Sequence, residues 1–448
     1  MLACGSPFWQ LETLPMSSLK TGLSRHGRPI YKWFGGQKNR LLLRFEKIMP
    51  TVTLTTSQLA LRLLPMLAVA WTRTYAVILP GIMATHHLTA AQGGQFVAWI
   101  EAGQILSLLV LGSVIDRFGG ARTLHIGLPI LGASVFAVTF AGDFTTMVFA
   151  LVFVGTGISW TGAGINTLMA STGERRVVYL GWMHSWFGLC AVLAPLVASV
   201  IIAWSSWEYY YRMVTVVAFI LTAVVWVSVP AKRPPRRTDE RVNASTSTSG
   251  EATGTLPSVW STLGRLFSLC LALFTFAGIQ GILTTWSYLH MEQTYGADHG
   301  WSTLAPTALW VGILVGRASL IPLSHYFSTY IMLRVLCLFP LLAVLLEILL
   351  PSYWGGLGAV LLAGLGVSGT FQLGTTWAAE LTPERVGMAS TTVMGSTAVG
   401  LGLFPWLAGM SIDASSFAAI QWMTGGLSLM ALILLGLTRC PRPAGLQS

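Results

Sequence analysis

Residues Gly112-Ser113-Val114-Ile115-Asp116-Arg117-Phe118-Gly119-Gly120-Ala121-Arg122 set one acid and two arginines between two long apolar runs, near 94–115 and 122–141. A helix needs roughly 20 mainly apolar residues to cross a hydrocarbon core of about 30 Å, and each flank supplies such a stretch. Polar punctuation this short, between runs this long, reads as a turn between membrane-spanning helices. Gly112 permits close helix approach, Asp116 at a helix end can pair with a cationic group or a helix N-terminus, and Arg117 and Arg122 stay in water.

The same reading extends along the chain. Twelve apolar stretches can be marked off near 60–83, 94–115, 122–141, 145–169, 178–204, 212–230, 263–289, 303–324, 330–351, 354–379, 386–410 and 415–438. Composition agrees: 54% hydrophobic against 9% charged residues leaves too little polar surface to cover soluble domains of 448 residues. The 18 Trp and 47 Gly suit interfacial aromatic belts and close helix packing. The expectation is an all-α membrane protein with twelve transmembrane helices in two six-helix bundles.

The net charge of +10 does not indicate nucleic acid, because of where it lies. Eight of the 26 Lys and Arg fall in the first 48 residues and five more between Lys232 and Arg241, without a basic face interleaved with base-stacking aromatics. Positive loops stay in the cytoplasm. Arg117 and Arg122, Arg175 and Arg176, Lys232 to Arg241, Arg334, Arg385, and Arg439 and Arg442 share one side if both termini are cytoplasmic; Arg212 alone falls on the other. The expected order is a basic N-terminal arm (1–57), a six-helix bundle (58–230), a flexible cytoplasmic linker (231–262), a second bundle (263–438) and a cytoplasmic tail (439–448). The sequon at Asn243 would then never meet the glycosylation machinery. Residues 1–50 carry no secretory signal and read either as a cytoplasmic arm or as sequence upstream of a true start at Met49.

The halves repeat. Thr172-x-Glu174-Arg175 with Leu193-x-Pro195 recurs as Thr382-x-Glu384-Arg385 with Leu403-x-Pro405, five identities at a constant offset of 210 residues. Two similar bundles can rock about a site near the midplane and expose it to each side in turn.

The turn at 112–122 resembles the G-x-x-x-D-R-x-G-x-x-R signature of major facilitator transporters through Gly112, Asp116, Arg117, Gly119 and Arg122. The resemblance implies a cytoplasmic gating network that latches an outward-facing state. The corresponding position of the second half, Pro322-Leu323-Ser324-His325-Tyr326-Phe327, lacks the Asp-Arg core. Asn166 ahead of Glu174 and Arg175, His184-Ser185-Trp186-Phe187-Gly188, Pro195, Trp310 to Arg317, Gly364-Leu365-Gly366 and Pro405-Trp406-Leu407-Ala408-Gly409 are similar to the fucose-permease-like branch, over roughly 60–438. That branch's sugar/proton symporters carry acidic residues where this chain has Ala76 and Gly162, which puts proton symport by the usual residues in doubt.

Charges within a bilayer cost at least about 2.5–3.5 kcal/mol each and require an account. Arg73, near the middle of the first helix, and Glu101, in the outer half of the second, lie at depths that permit pairing. Either Arg73 receives an anionic substrate while Glu101 releases it or carries a proton, or the two form a fixed ion pair. Arg317 can reach a substrate or a helix C-terminus. His184 suits proton transfer or a helix contact. Asn166, Gln280, Trp286 and Gln372 are neutral candidates for a cavity lining. Cys4, Cys190, Cys270, Cys337 and Cys440 form no disulfide or metal pattern, and His86-His87 lacks a ligand partner at metal-binding spacing. No catalytic cluster or cofactor motif is present; Gly155-x-Gly157 and Gly162-x-Gly164 lie in an apolar helix, where close packing explains them. The expected activity is alternating-access transport of a small polar or anionic solute, sugar-like or organic acid, by a monomer in a bacterial inner membrane, with a co-transported proton or other ion as a possible partner. Export of hydrophobic drug-like compounds is the alternative, and a transporter-fold receptor the remote one.

Overall fold

In the computed structural model the described residues are 54–172, 176–231 and 258–438. Glu174 and Arg175, the tail, nearly all of the arm and most of the linker therefore lie outside them. The described chain is helical: ten helices are long and apolar enough to cross a membrane, eleven with the bent pair Thr56–Thr72 and Tyr75–His86 as one span, and dividing Ala90–Val138 at Gly119 makes twelve spans. Span 1 comprises Thr56–Leu63, Pro65–Thr72 and Tyr75–His86. Spans 2 and 3 (residues 90–118 and 120–138) form the continuous Ala90–Val138. Spans 4 to 7 are Phe144–Ala170, Arg176–Trp204, Trp207–Ser228 and Val259–Tyr295. Spans 8 to 12 are His299–Leu323, Thr329–Leu349, Tyr353–Leu381, Pro383–Ala414 and Ala419–Leu437.

Ala90–Val138 is 49 residues long, about 74 Å of helix and more than twice a hydrocarbon core. Gly119 breaks it, with φ 80° and ψ 164°, a conformation that glycine adopts without Cβ strain. Span 4 shows that the chain reverses there. Gly155 packs on the backbone of Ile100 and Gln104 in span 2, while Gly164 meets Gly120 and Leu124, and Gly157 meets Leu131, in span 3. Contacts move down span 4 as the chain approaches Gly119 and return up it afterwards. The expected loop is thus a turn on one glycine. Gly112, expected to allow close approach, has open space where its Cβ would be.

Polar caps set where spans begin. Thr89 with Gln92 and Asp143 with Thr146 form reciprocal capping boxes, and the side chains of Ser258, Asp298 and Ser352 accept from backbone N–H groups in the first turns of spans 7, 8 and 10.

The duplication extends well beyond the short motif. Arg176–Trp204 and Val386–Ala414, both 29 residues, start and end 210 residues apart. Spans 4 and 10, 3 and 9, and 6 and 12 keep that offset within two residues at each end. Pro195 and Pro405 lie inside the equivalent helices. Thr172 and Thr382, both buried, each return a hydroxyl bond to a carbonyl of the preceding helix, 2.6 Å to Met169 and 2.8 Å to Ala378. The halves meet along spans 1 and 7, 2 and 11, and 5 and 8.

Candidate functional site

With twelve spans, residues 54 and 438 lie at one end of the bundle, here the terminal end; the other is the distal end. Span 1 is not one straight helix. It bends by 45° between Thr72 and Tyr75, and Thr74 leaves helical geometry with ψ 47°. The Trp71 carbonyl exposed by the break accepts a bond from the Tyr210 hydroxyl at 2.8 Å, which also lies 3.2 Å from Thr74 Oγ1. Arg73 sits in this break, so its side chain projects from a helix end toward span 2.

There it meets Glu101. Arg73 Nη1 donates to Glu101 Oε1 at 3.2 Å, Arg73 Nη2 donates to Gln104 Oε1 at 2.6 Å, and Gln104 Nε2 donates to Glu101 Oε2 at 2.5 Å. The ring of bonds gives each charged group a polar partner and makes the cluster neutral as a whole. Glu101 is 3% exposed, as a carboxylate in this setting must be paired to be tolerated. The sequence reading placed Arg73 and Glu101 at compatible depth and the structure joins them. It missed Gln104, although Glu101 and Gln104 stand at i, i+3 on one helix face.

The pair borders a small cavity whose wall also includes Tyr75, Gln280, Thr284 and Trp310. Spans 1 and 2 supply the charges and spans 7 and 8 supply the amide, hydroxyl and ring, so the site lies between the halves. Gln280, a candidate for a cavity lining, is part of this wall. Trp286 is not: it is fully buried and its indole N–H donates to the Pro405 carbonyl at 3.0 Å. In this conformation Trp286 belongs to the packing that closes the distal end.

That closure is polar and backbone-tight. Asp413, at the end of span 11, accepts from the N–H groups of Ala90 (2.9 Å) and Ala91 (2.8 Å) at the start of span 2. His299 Nε2 lies 3.1 Å from both the hydroxyl and the carbonyl of Ser199, across the junction of spans 5 and 8. Gly94 packs on the Pro405–Trp406 backbone and Gly409 on Ala90, where any Cβ would collide. Toward the terminal end the facing surfaces stand apart. Asn166 of span 4 is exposed, about 140° around the helix from the exposed Phe153. His184, also exposed, shares a face with Gly181 and with Gly188, which meets Leu314 of span 8. Gly162, Gly181, Gly387 and Gly395 have open space at their Cβ positions. The cleft is shut at the distal end and open toward the terminal end.

The remaining candidates divide. Arg317 Nε donates at 3.3 Å to the carbonyl of Ser368, the C-cap of Tyr353–Val367, the helix-end role that the sequence reading had left open. Gln372 buries its Oε1 without a hydrogen-bond partner. Glu384 takes a bond from Arg265, which also donates to the Leu381 carbonyl, tying span 7 to the start of span 11. Arg385 ends the adjoining 3-10 turn. Asp116 is exposed, and Arg117 lies over the Phe118 ring at 5.3 Å. Cys190, Cys270 and Cys337 are buried and free.

The family described as Major Facilitator Superfamily matches residues 63–361, spanning most of both bundles. The chain belongs to the major facilitator superfamily. Among curated relatives of this superfamily member, the glucose/mannose transporter GlcP of Bacillus subtilis is 22% identical over 339 residues, 75% of this chain and 82% of that protein. Bypass of stop codon protein 6 of Saccharomyces cerevisiae is 21% identical over 266 residues, and the match spans 55% of this chain and about half, 53%, of the yeast protein. Among solved structures, the nucleoside transporter NupG superposes with a TM-score of 0.66, covering 85% of this chain and all of that one at 14% identity, a likeness of fold. The protein is a multi-pass membrane transporter of this superfamily.

Proposed function

We propose that the protein carries a small, neutral, hydroxyl-rich solute of the sugar class by alternating access, with both termini cytoplasmic in a bacterial inner membrane. One observation supports the solute class above all: Arg73 enters the cleft already neutralised by Glu101 and bridged by Gln104. A free guanidinium would favour an anion. A closed Arg-Glu-Gln ring offers paired donors and acceptors, which suit hydroxyls, and Gln280, Thr284 and Trp310 add an amide, a hydroxyl and an apolar ring face. The relative named as a glucose/mannose transporter is in keeping with this. On this reading the distal end is extracellular, and the described conformation opens to the cytoplasm.

The test is a thermal-shift panel of hexoses, nucleosides and carboxylates on purified wild type and Arg73→Gln, followed by counterflow of labelled glucose in proteoliposomes. A ligand at 100 times its Kd stabilises by about 2.7 kcal/mol. Stabilisation by hexoses that Arg73→Gln weakens supports the proposal; stabilisation by carboxylates alone would overturn it in favour of an anion carrier. The alternative of hydrophobic export draws on an apolar crevice of about 280 Å³ between spans 2 and 11, lined by Trp99, Ala102, Val399, Gly402 and Trp406, with Glu101 in its wall. Stabilisation by hydrophobic amines and not by hexoses would select that reading.

A further inference from the structure

A second ionisable pair lies inside the C-terminal bundle, away from the cleft. His290 of span 7 and Glu347 of span 9 are 2% and 7% exposed, and Glu347 Oε1 lies 2.6 Å from His290 Nε2. Tyr295 donates its hydroxyl to the same oxygen at 2.8 Å. The other ring nitrogen, His290 Nδ1, lies 3.2 Å from the hydroxyl of Thr294, which is exposed at the distal end. On the inner side, Leu283, Gln421 and Thr424 join the pair around a cavity of about 20 Å³, room for one water. The Thr424 hydroxyl is buried without a protein partner. Span 10 contributes Ala359, Val360 and Ala363 to that wall and no titratable group, and span 12 contributes Gln421 and Thr424. Glu292 and Asp298 lie nearer the distal surface, while Tyr288 faces the other way and bonds His299 Nδ1 at 2.8 Å.

A packed bundle has no structural need for this pair, since well-packed apolar residues serve at least as well as a buried ion pair. Its geometry can hold one exchangeable proton. With a neutral imidazole, Nε2–H donates to Glu347 and Nδ1 accepts from Thr294, leaving a net charge of −1. A proton arriving at Nδ1 from the distal water gives imidazolium paired with carboxylate, net zero, with both N–H groups donating. The same helix carries Gln280 and Thr284 in the cleft wall and Tyr288 at the distal seal, so the pair acts on the segment that lies at both.

We propose that His290 and Glu347 form the binding site for a coupling proton, loaded from the distal side past Thr294, and that this proton drives solute movement. The assignment rests on the transporter reading above but uses different residues. Two measurements on the full-length protein test it. In detergent, with pyranine as reporter, a step from about pH 8 to about pH 5 should load about one proton more on wild type than on His290→Gln or Glu347→Gln; equal uptake in all three overturns the site. In proteoliposomes, the ratio of pH-gradient-driven glucose accumulation to glucose exchange should fall at least tenfold in His290→Gln and Glu347→Gln. The exposed Thr294→Val, free of buried-core folding risk, should slow accumulation severalfold. A wild-type ratio in all three would overturn the coupling role. If wild type fails to exchange glucose, the solute reading fails, and the proton-uptake arm still decides the site.

Discussion

Removing Arg73 alone should cost more than removing both members of the Arg73–Glu101 pair. In Arg73→Gln, Glu101 loses the guanidinium that offsets its charge while 3% exposed. Breaking a buried pair typically costs about 3–5 kcal/mol; the Arg73 side chain is 20% exposed, so water offsets part of this and about 3 kcal/mol is expected. Glu101→Gln leaves an arginine that can reach cleft water and still bond Gln104, so about 1–2 kcal/mol is expected. In the double variant Arg73→Gln/Glu101→Gln no charge is stranded, and three neutral amides can bond one another, so its loss should stay within about 2 kcal/mol. The coupling energy is then about 2 kcal/mol or more, well outside the roughly 0.5 kcal/mol scatter of additive sites. The assay is reversible denaturation in mixed micelles for all four proteins, with glucose counterflow measured in parallel. Additive single costs would refute the view that the pair is energetically closed. Wild-type counterflow in the stable double variant would show that the ring supports the fold and does not contact solute.

Other features give sharper local contrasts. Gly155→Ala should cost about 1–3 kcal/mol, because its Cβ would collide with the Ile100 carbonyl, whereas Gly112→Ala, facing open space, should be neutral or stabilising by up to about 1 kcal/mol; melting of the two variants compares them. Asp413→Ala removes two bonds that hold the start of span 2 to the end of span 11. A loss of about 1–2 kcal/mol should raise the distal-open population about 5- to 30-fold, seen as faster labelling of a cysteine introduced at the distal mouth; unchanged labelling would remove Asp413 from the seal. Arg317→Gln should lower stability by about 1 kcal/mol through loss of a helix-end contact and leave hexose-induced stabilisation intact, whereas loss of that stabilisation would return Arg317 to the solute site.

What the sequence makes legible follows from where the information lies. Span number, span limits and duplication are written in local hydropathy and in caps such as Thr89, Asp143 and Ser352, so they survive without coordinates. A turn within 112–122 was legible from the apolar runs on either side, whereas its confinement to Gly119 needed a backbone angle. Arg73 and Glu101 could be matched by depth because they are rare charges on successive helices. His290 and Glu347 stand 57 residues apart on spans 7 and 9, and no local pattern joins them; only the packing of three helices does. The 210-residue offset sharpens the point. It carries Arg73 to Leu283 and Glu101 to Val311, and carries His290 and Glu347 back to Pro80 and Ala137. Each half therefore keeps a pair of ionisable side chains that its repeat lacks: one faces the cleft, the other is enclosed in its own bundle and linked by Thr294 to the distal surface. A twofold scaffold moves as two similar bodies, but groups that bind a solute and groups that bind an ion have different chemical requirements. On the proposed reading, unequal charges on equal halves would let one body carry the solute contact while the other carries the driving ion, with span 7, which lines both places, joining them.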